Sequence, residues 1–151
     1  AKAVRDALSQ QLPEQRETFD TNFRALESDL LELDARLAAI VARGPAKPLF
    51  ASHPVYQYLA RRYGLNLKSL LWEPDVVAPP DQWRALAGMR ESHPAGWMLW
   101  EGDPSDENVQ RLEELGLQST VFDPCGNRPA TGNFLGVMTK NVASMDRLFS
   151  R

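Results

Sequence analysis

The stretch Leu49-Phe50-Ala51-Ser52-His53-Pro54-Val55-Tyr56-Gln57-Tyr58-Leu59-Ala60-Arg61-Arg62-Tyr63-Gly64 decides the fold. Pro48 to Ser52 reads as a short strand. His53-Pro54 turns the chain. Val55 to Tyr63 reads as a helix with Val55, Leu59 and Tyr63 on one face and Gly64 as its stop. A strand that feeds a helix through a two-residue turn is one half of a βαβ unit.

The same alternation continues toward the carboxyl end. Leu67 to Trp72 is a predicted strand, and Asp81 to Arg90 a helix behind Pro79-Pro80. Trp97 to Trp100 is a strand. Ser105 caps a helix that runs to Leu115, with Gly116 as stop. Thr120 to Phe122 is a strand, and Gly132 to Phe149 a closing helix. The predicted fold is α/β: a four-stranded, mostly parallel sheet with helices on both faces.

Ahead of this region the chain is helical. A short helix over Ala1–Ser9 is followed by Pro13, which suits the first turn of a second helix. Phe19, Phe23, Leu26, Leu30, Leu33, Leu37 and Ile40 then recur at alternating spacings of four and three, one continuous apolar stripe. Gly44-Pro45 ends it. Some 30 residues at ~1.5 Å each make a rod of ~45 Å. The expected organisation is therefore a helical segment over 1–44 and an α/β lobe over 45–151. The stripe also reads as a dimer seam, but its flanking positions carry no clean complementary charge set.

Composition sets bounds. The 151 residues are 43% apolar and 25% charged with a net charge of −3, the profile of one globular domain. No basic block points to nucleic acid, and no apolar run reaches the ~18 residues of a membrane span. The single cysteine, Cys125, excludes an intramolecular disulfide and a thiolate-only zinc site. No signal peptide is legible. Ala1 to Arg5 is already amphipathic, so the expectation is a piece of a longer chain.

The chemistry gathers behind the strands. His53 follows the first, Glu73 and Asp75 the second, Glu101 and Asp103 the third, and Asp123 the fourth. In an open parallel sheet ligands bind beyond the carboxyl ends of the strands. One imidazole and several carboxylates on one edge suit a divalent transition metal. Small α/β enzymes also place acids there, yet the chain has no nucleophile elbow, Gly-rich phosphate loop or Ser-His-Asp set. Other roles compete residue by residue. His53 also suits a helix start, Asp123 before Pro124 a turn, and His93 a loop at the opposite edge. Cys125 suits a small filler, and the four tryptophans suit the core.

The segment Leu49–Leu65 resembles a signature of the zinc and manganese solute-binding proteins of ABC transporters, where a histidine leaves a strand and opens a helix ending in Tyr-Gly-Leu. Trp97–Glu101 is similar to that family's apolar strand followed by Glu, and Val121–Pro124 to its Asp-Pro segment. Gly132-Asn133-Phe134 with Met138 and Asn141 resembles its closing helix. The long helix resembles the backbone helix that joins the family's two lobes. The loop after Asp123 departs from the family by carrying Cys125 and Asn127-Arg128-Pro129 in place of small or apolar residues.

The resemblance implies a protein that is not an enzyme. It would bind a divalent metal outside the cytoplasm, in the periplasm or its equivalent, and deliver it to an ABC permease. It implies His53 and Asp123 as metal ligands. Glu101, taken by itself, suits a structural acid or one that orients a ligand from behind. Histidine at position 53 favours zinc, with manganese the alternative. It also implies that the amino-terminal lobe is missing, so that this chain binds metal weakly and has part of its helix stripe free to form a homodimer. The alternatives are a helix-mediated dimeric interaction module and a small hydrolase-like α/β enzyme.

Overall fold

A computed structural model describes residues 1–150. The chain divides into two compact units, Ala1–Arg36 and Leu37–Arg151.

In the first unit, helix α1 (Lys2–Gln11) is followed by a 3-10 turn (Pro13–Gln15) and by most of helix α2 (Arg16–Val41). Arg5 of α1 donates to Asp20 Oδ1 at 2.7 Å and lies 4.8 Å above the Phe23 ring. Phe19 and Phe23 are half-buried and Leu26 is exposed. The last turn of α2 belongs to the second unit, because Leu37, Ile40 and Val41 are buried there.

The second unit is the α/β lobe. Strands β1 (Pro48–Ala51), β2 (Asn66–Ser69), β3 (Trp97–Trp100) and β4 (Gln118–Val121) form one sheet in the order β2-β1-β3-β4. All its pairings are parallel. Helices α3 (Gln57–Tyr63), α4 (Pro80–Ser92), α5 (Asp106–Glu114) and α6 (Phe134–Phe149) connect and follow the strands. Strand order reverses between β1 and β3. The carboxyl ends of those two strands therefore form the topological switch point, the preferred ligand position of such sheets.

Side chains of a strand point alternately to its two faces. Phe50, Met98 and Trp100 join Trp72, Trp83, Leu86, Leu112 and Leu117 in one buried cluster. Leu49, Ala51 and Leu99 point to the opposite face and are also buried. The tryptophans divide as three core residues and one half-buried residue. Trp72 packs against Trp83 at 4.6 Å and Trp100 at 6.2 Å, while Trp97 is half-buried.

Two local expectations need qualification. In α3, Leu59 and Tyr63 do share the half-buried side, with Gln57, Tyr58, Arg61 and Arg62 exposed, but Val55 lies ahead of the helix and is exposed. Tyr56 is buried in its place. His93 lies in the loop between α4 and β3 as expected, at the opposite edge of the sheet, but its side chain belongs to the core. It is buried, its Nε2 lies 2.8 Å from the Leu49 carbonyl oxygen, and its ring meets Phe50 edge-on.

The loop that leaves β2 is pinned from α5. Asn108 is fully buried, accepts from the Ala78 N–H at 3.0 Å and donates to the Val76 carbonyl at 2.8 Å. The Ser105 N–H adds a bond to the Pro74 carbonyl at 2.8 Å. Asn108→Ala leaves the first two backbone groups without partners, and we expect it to lower the unfolding free energy by about 2–4 kcal/mol in urea titrations.

Candidate metal centre

Backbone pairing continues past the ends of the strands and sets the geometry here. The Ser52 N–H donates to the Leu99 carbonyl at 2.8 Å, and the Trp72 N–H to the Ser52 carbonyl at 2.8 Å. His53 consequently leaves the sheet between two neighbours. Glu73 comes alongside from the β2 side and Glu101 from the β3 side.

The imidazole Nδ1 lies 3.6 Å from Glu73 Oε1 and 3.5 Å from Glu101 Oε1. Both separations exceed the ~2.7–2.9 Å of a charge-assisted hydrogen bond. Nδ1 is buried and has no hydrogen-bond partner. The donor atoms of His53, Glu73 and Glu101 all lie within 4.8 Å of one another, and no other such group of three occurs among the described residues. His53 and Glu101 are half-buried, while Glu73 is exposed.

Asp123 follows β4 on the same carboxyl edge. The Phe122 N–H continues the pairing onto the Trp100 carbonyl at 2.9 Å. Asp123 is then gripped through its backbone. Its N–H donates to Asn141 Oδ1 at 3.0 Å, and its carbonyl accepts from Asn141 Nδ2 at 2.7 Å. Its side-chain Oδ1 accepts from the Cys125 N–H at 2.7 Å. That bond is the turn-forming role legible in the sequence. Asp123 stands outside the group around His53. It lines a cavity of about 400 Å³ with Asp103, Thr131, Lys140 and Asn141.

Cys125 differs from its expected role as a small filler. It is half-exposed, and its backbone takes the left-handed conformation with φ 55°. The Asp123 hydrogen bond to its N–H holds it there, because a side chain disfavours that region.

Tyr56 joins the two arms of the rim, and sequence reasoning missed it. The residue is buried, donates its hydroxyl to the Phe122 carbonyl at 2.7 Å, and meets the Phe122 ring edge-on at 5.8 Å. Burial pushes the phenol pKa far above its ordinary value, and the charges of Glu101 and Asp123 push it the same way. The phenol is therefore a neutral hydrogen-bond donor. Glu73 was one of several edge carboxylates in the sequence, with nothing to single it out. The register that pairs Ala51 with Ser69 would set Leu71 opposite His53; beyond the strands the Ser52 carbonyl takes the Trp72 N–H, one residue further on, and this shift brings Glu73 alongside.

An imidazole beside carboxylates at a sheet edge offers nitrogen and oxygen donors to a divalent cation. Comparison with known proteins finds relatives that are named for zinc. Zinc-binding lipoprotein AdcA of Streptococcus pneumoniae strain R6 is 26% identical over 149 residues. The match covers 94% of this chain and 30% of the relative, so the chain spans under a third of the length of such curated relatives. Among solved structures, the Zn(II)-bound ZnuA-like domain of Streptococcus pneumoniae AdcA superposes with a TM-score of 0.85 at 24% identity, covering 98% of this chain and 58% of that one. The metal-dependent lipoprotein YcdH of Bacillus subtilis gives a TM-score of 0.83 at 18% identity, covering 97% and 58%. Both structures share the fold described above. A family model covers nearly every residue, from 1 to 147. The chain belongs to the ZnuA family, described as zinc-uptake complex component A, periplasmic.

Proposed function

We propose that this chain binds zinc outside the cytoplasm as cargo and passes it to the membrane permease of an ABC transporter, with His53 and Asp123 as ligands. The observation that carries the reading is the position of His53. It leaves the switch point of a sheet whose family is a zinc-uptake component, with Glu101 beside its Nδ1. Glu101 there orients the ring from behind and leaves Nε2 for the metal. Zinc is preferred to manganese because imidazole is the softer donor. The AdcA relative named as zinc-binding points the same way.

Zinc takes about four ligands. His53 and Asp123 supply two of them, and the others come from water or from protein outside residues 1–151. The metal held by this chain alone is therefore weakly bound. Calorimetric titration with zinc is the test. His53→Ala should weaken binding by roughly tenfold or more, since even groups behind the ligands contribute that much, and Asp123→Ala should weaken by the same factor the binding of zinc held on the Nε2 side of the ring. Affinity unchanged in both variants would end the assignment.

Tyr56→Phe separates support from ligation. It keeps the ring but leaves the buried Phe122 carbonyl without its donor. We expect a loss of about 1–3 kcal/mol in unfolding free energy, read by thermal or urea denaturation. Zinc binding should fall less than in His53→Ala.

A further inference from the structure

We propose that His53 Nδ1, Glu73 and Glu101 form a capture site for the cargo cation, distinct from the position served by Nε2 and Asp123. The proposal rests on the reading of zinc as cargo. It assigns Glu73 a role as ligand and gives Glu101 a second one.

The distances carry it. Zinc holds nitrogen and oxygen ligands at ~2.0–2.2 Å in a tetrahedron, which sets two ligands roughly 3.3–3.6 Å apart. The Nδ1–Glu101 and Nδ1–Glu73 separations are 3.5 and 3.6 Å. They fit the edges of such a tetrahedron and are too long for the short hydrogen bonds that an imidazole and a carboxylate otherwise make. The orphaned Nδ1 is a second, independent observation. A buried polar atom without a partner is costly, and a cation between it and the two carboxylates would satisfy all three groups at once. Exposure supplies the path, for Glu73 faces solvent while His53 and Glu101 are half-covered.

A neutral imidazole has one lone pair for a metal, and its other nitrogen carries the proton. Zinc on Nδ1 therefore leaves a proton on Nε2, and zinc on Nε2 leaves it on Nδ1, facing Glu101. The two positions exclude each other, and transfer between them requires only that the proton and the cation exchange nitrogens. Glu101 serves both states, as a ligand in the first and as the acceptor for Nδ1–H in the second.

The test is a zinc titration of the 151-residue chain followed by long-range nitrogen–proton NMR. His53 and His93 are its two histidines, and His93 is buried on the Leu49 carbonyl, so the ring signals are separable. We expect zinc to move the Nδ1 resonance of His53 to the metal-bound range while Nε2 keeps its proton. Glu73→Gln should weaken binding by at least the roughly tenfold typical of groups behind a ligand and shift the remaining zinc to Nε2, while the melting temperature of the apo protein stays unchanged. Zinc on Nε2 of the unsubstituted chain, with Glu73→Gln within twofold of it in affinity, would overturn the capture site and leave the proposed function standing. A His53 ring that does not respond to zinc would overturn both.

Discussion

The lobe depends on the parallel registration of β1 between β2 and β3. That pairing does not stop where the strands stop. The Ser52 N–H reaches Leu99 on one side, and the Ser52 carbonyl takes the Trp72 N–H on the other. Two hydrogen bonds to one residue thus fix the chain immediately before His53. Because a parallel sheet is covered on both faces, Phe50, Met98 and Trp100 are locked on one side and Leu49, Ala51 and Leu99 on the other. A slip of one residue would exchange the faces of every side chain, and would also carry Glu73 and Glu101 away from the imidazole. The same apolar packing that stabilises the sheet therefore specifies the spacing of the polar rim.

Around that rim, polar groups are held by backbone atoms more than by one another. Asn141 holds Asp123 by its N–H and carbonyl, Tyr56 holds the Phe122 carbonyl, and Asn108 holds the loop beyond Glu73. These residues fix where the chain runs and leave imidazole and carboxylate atoms less engaged. Such support shells give a site its geometry without occupying its donors. Under the zinc-cargo reading proposed above, release of the cation would be eased by donor atoms that the surrounding protein does not already occupy.

Much of this was legible in the sequence, and the failures have physical causes. Trp97–Trp100 reads as a strand and is one, because a short apolar run before Glu-Gly has little alternative. The Ser105 cap holds, with its Oγ accepting from the Asn108 N–H. The predicted strand over Leu67–Trp72 is shorter in the structure, yet Leu70 and Trp72 beyond its end still bond to Ala51 and Ser52. Leu59 and Tyr63 of α3 share its half-buried side as read, but seven residues are under two turns, too few for periodicity to show that Val55 lies outside the helix. Tyr56, just ahead of it, was invisible for the same reason. The burial of His93 in its loop was not legible because its partner, the Leu49 carbonyl, is 44 positions away in the chain. Glu73 stood out only once the backbone pairing beyond the ends of β1 and β2 was in hand. Local signals located the elements, while contacts between strands decided which residues meet.

The buried phenol of Tyr56 has a consequence for alkaline solutions. An unfolded chain ionises this tyrosine near its ordinary value of 10.0, whereas the folded chain resists ionisation well beyond it. Below that point both states hold the proton and the group is neutral to stability; above it the unfolded state alone sheds the proton, so rising pH draws the equilibrium toward unfolding. The residue that bridges the two arms of the rim is thus also where base attacks the fold.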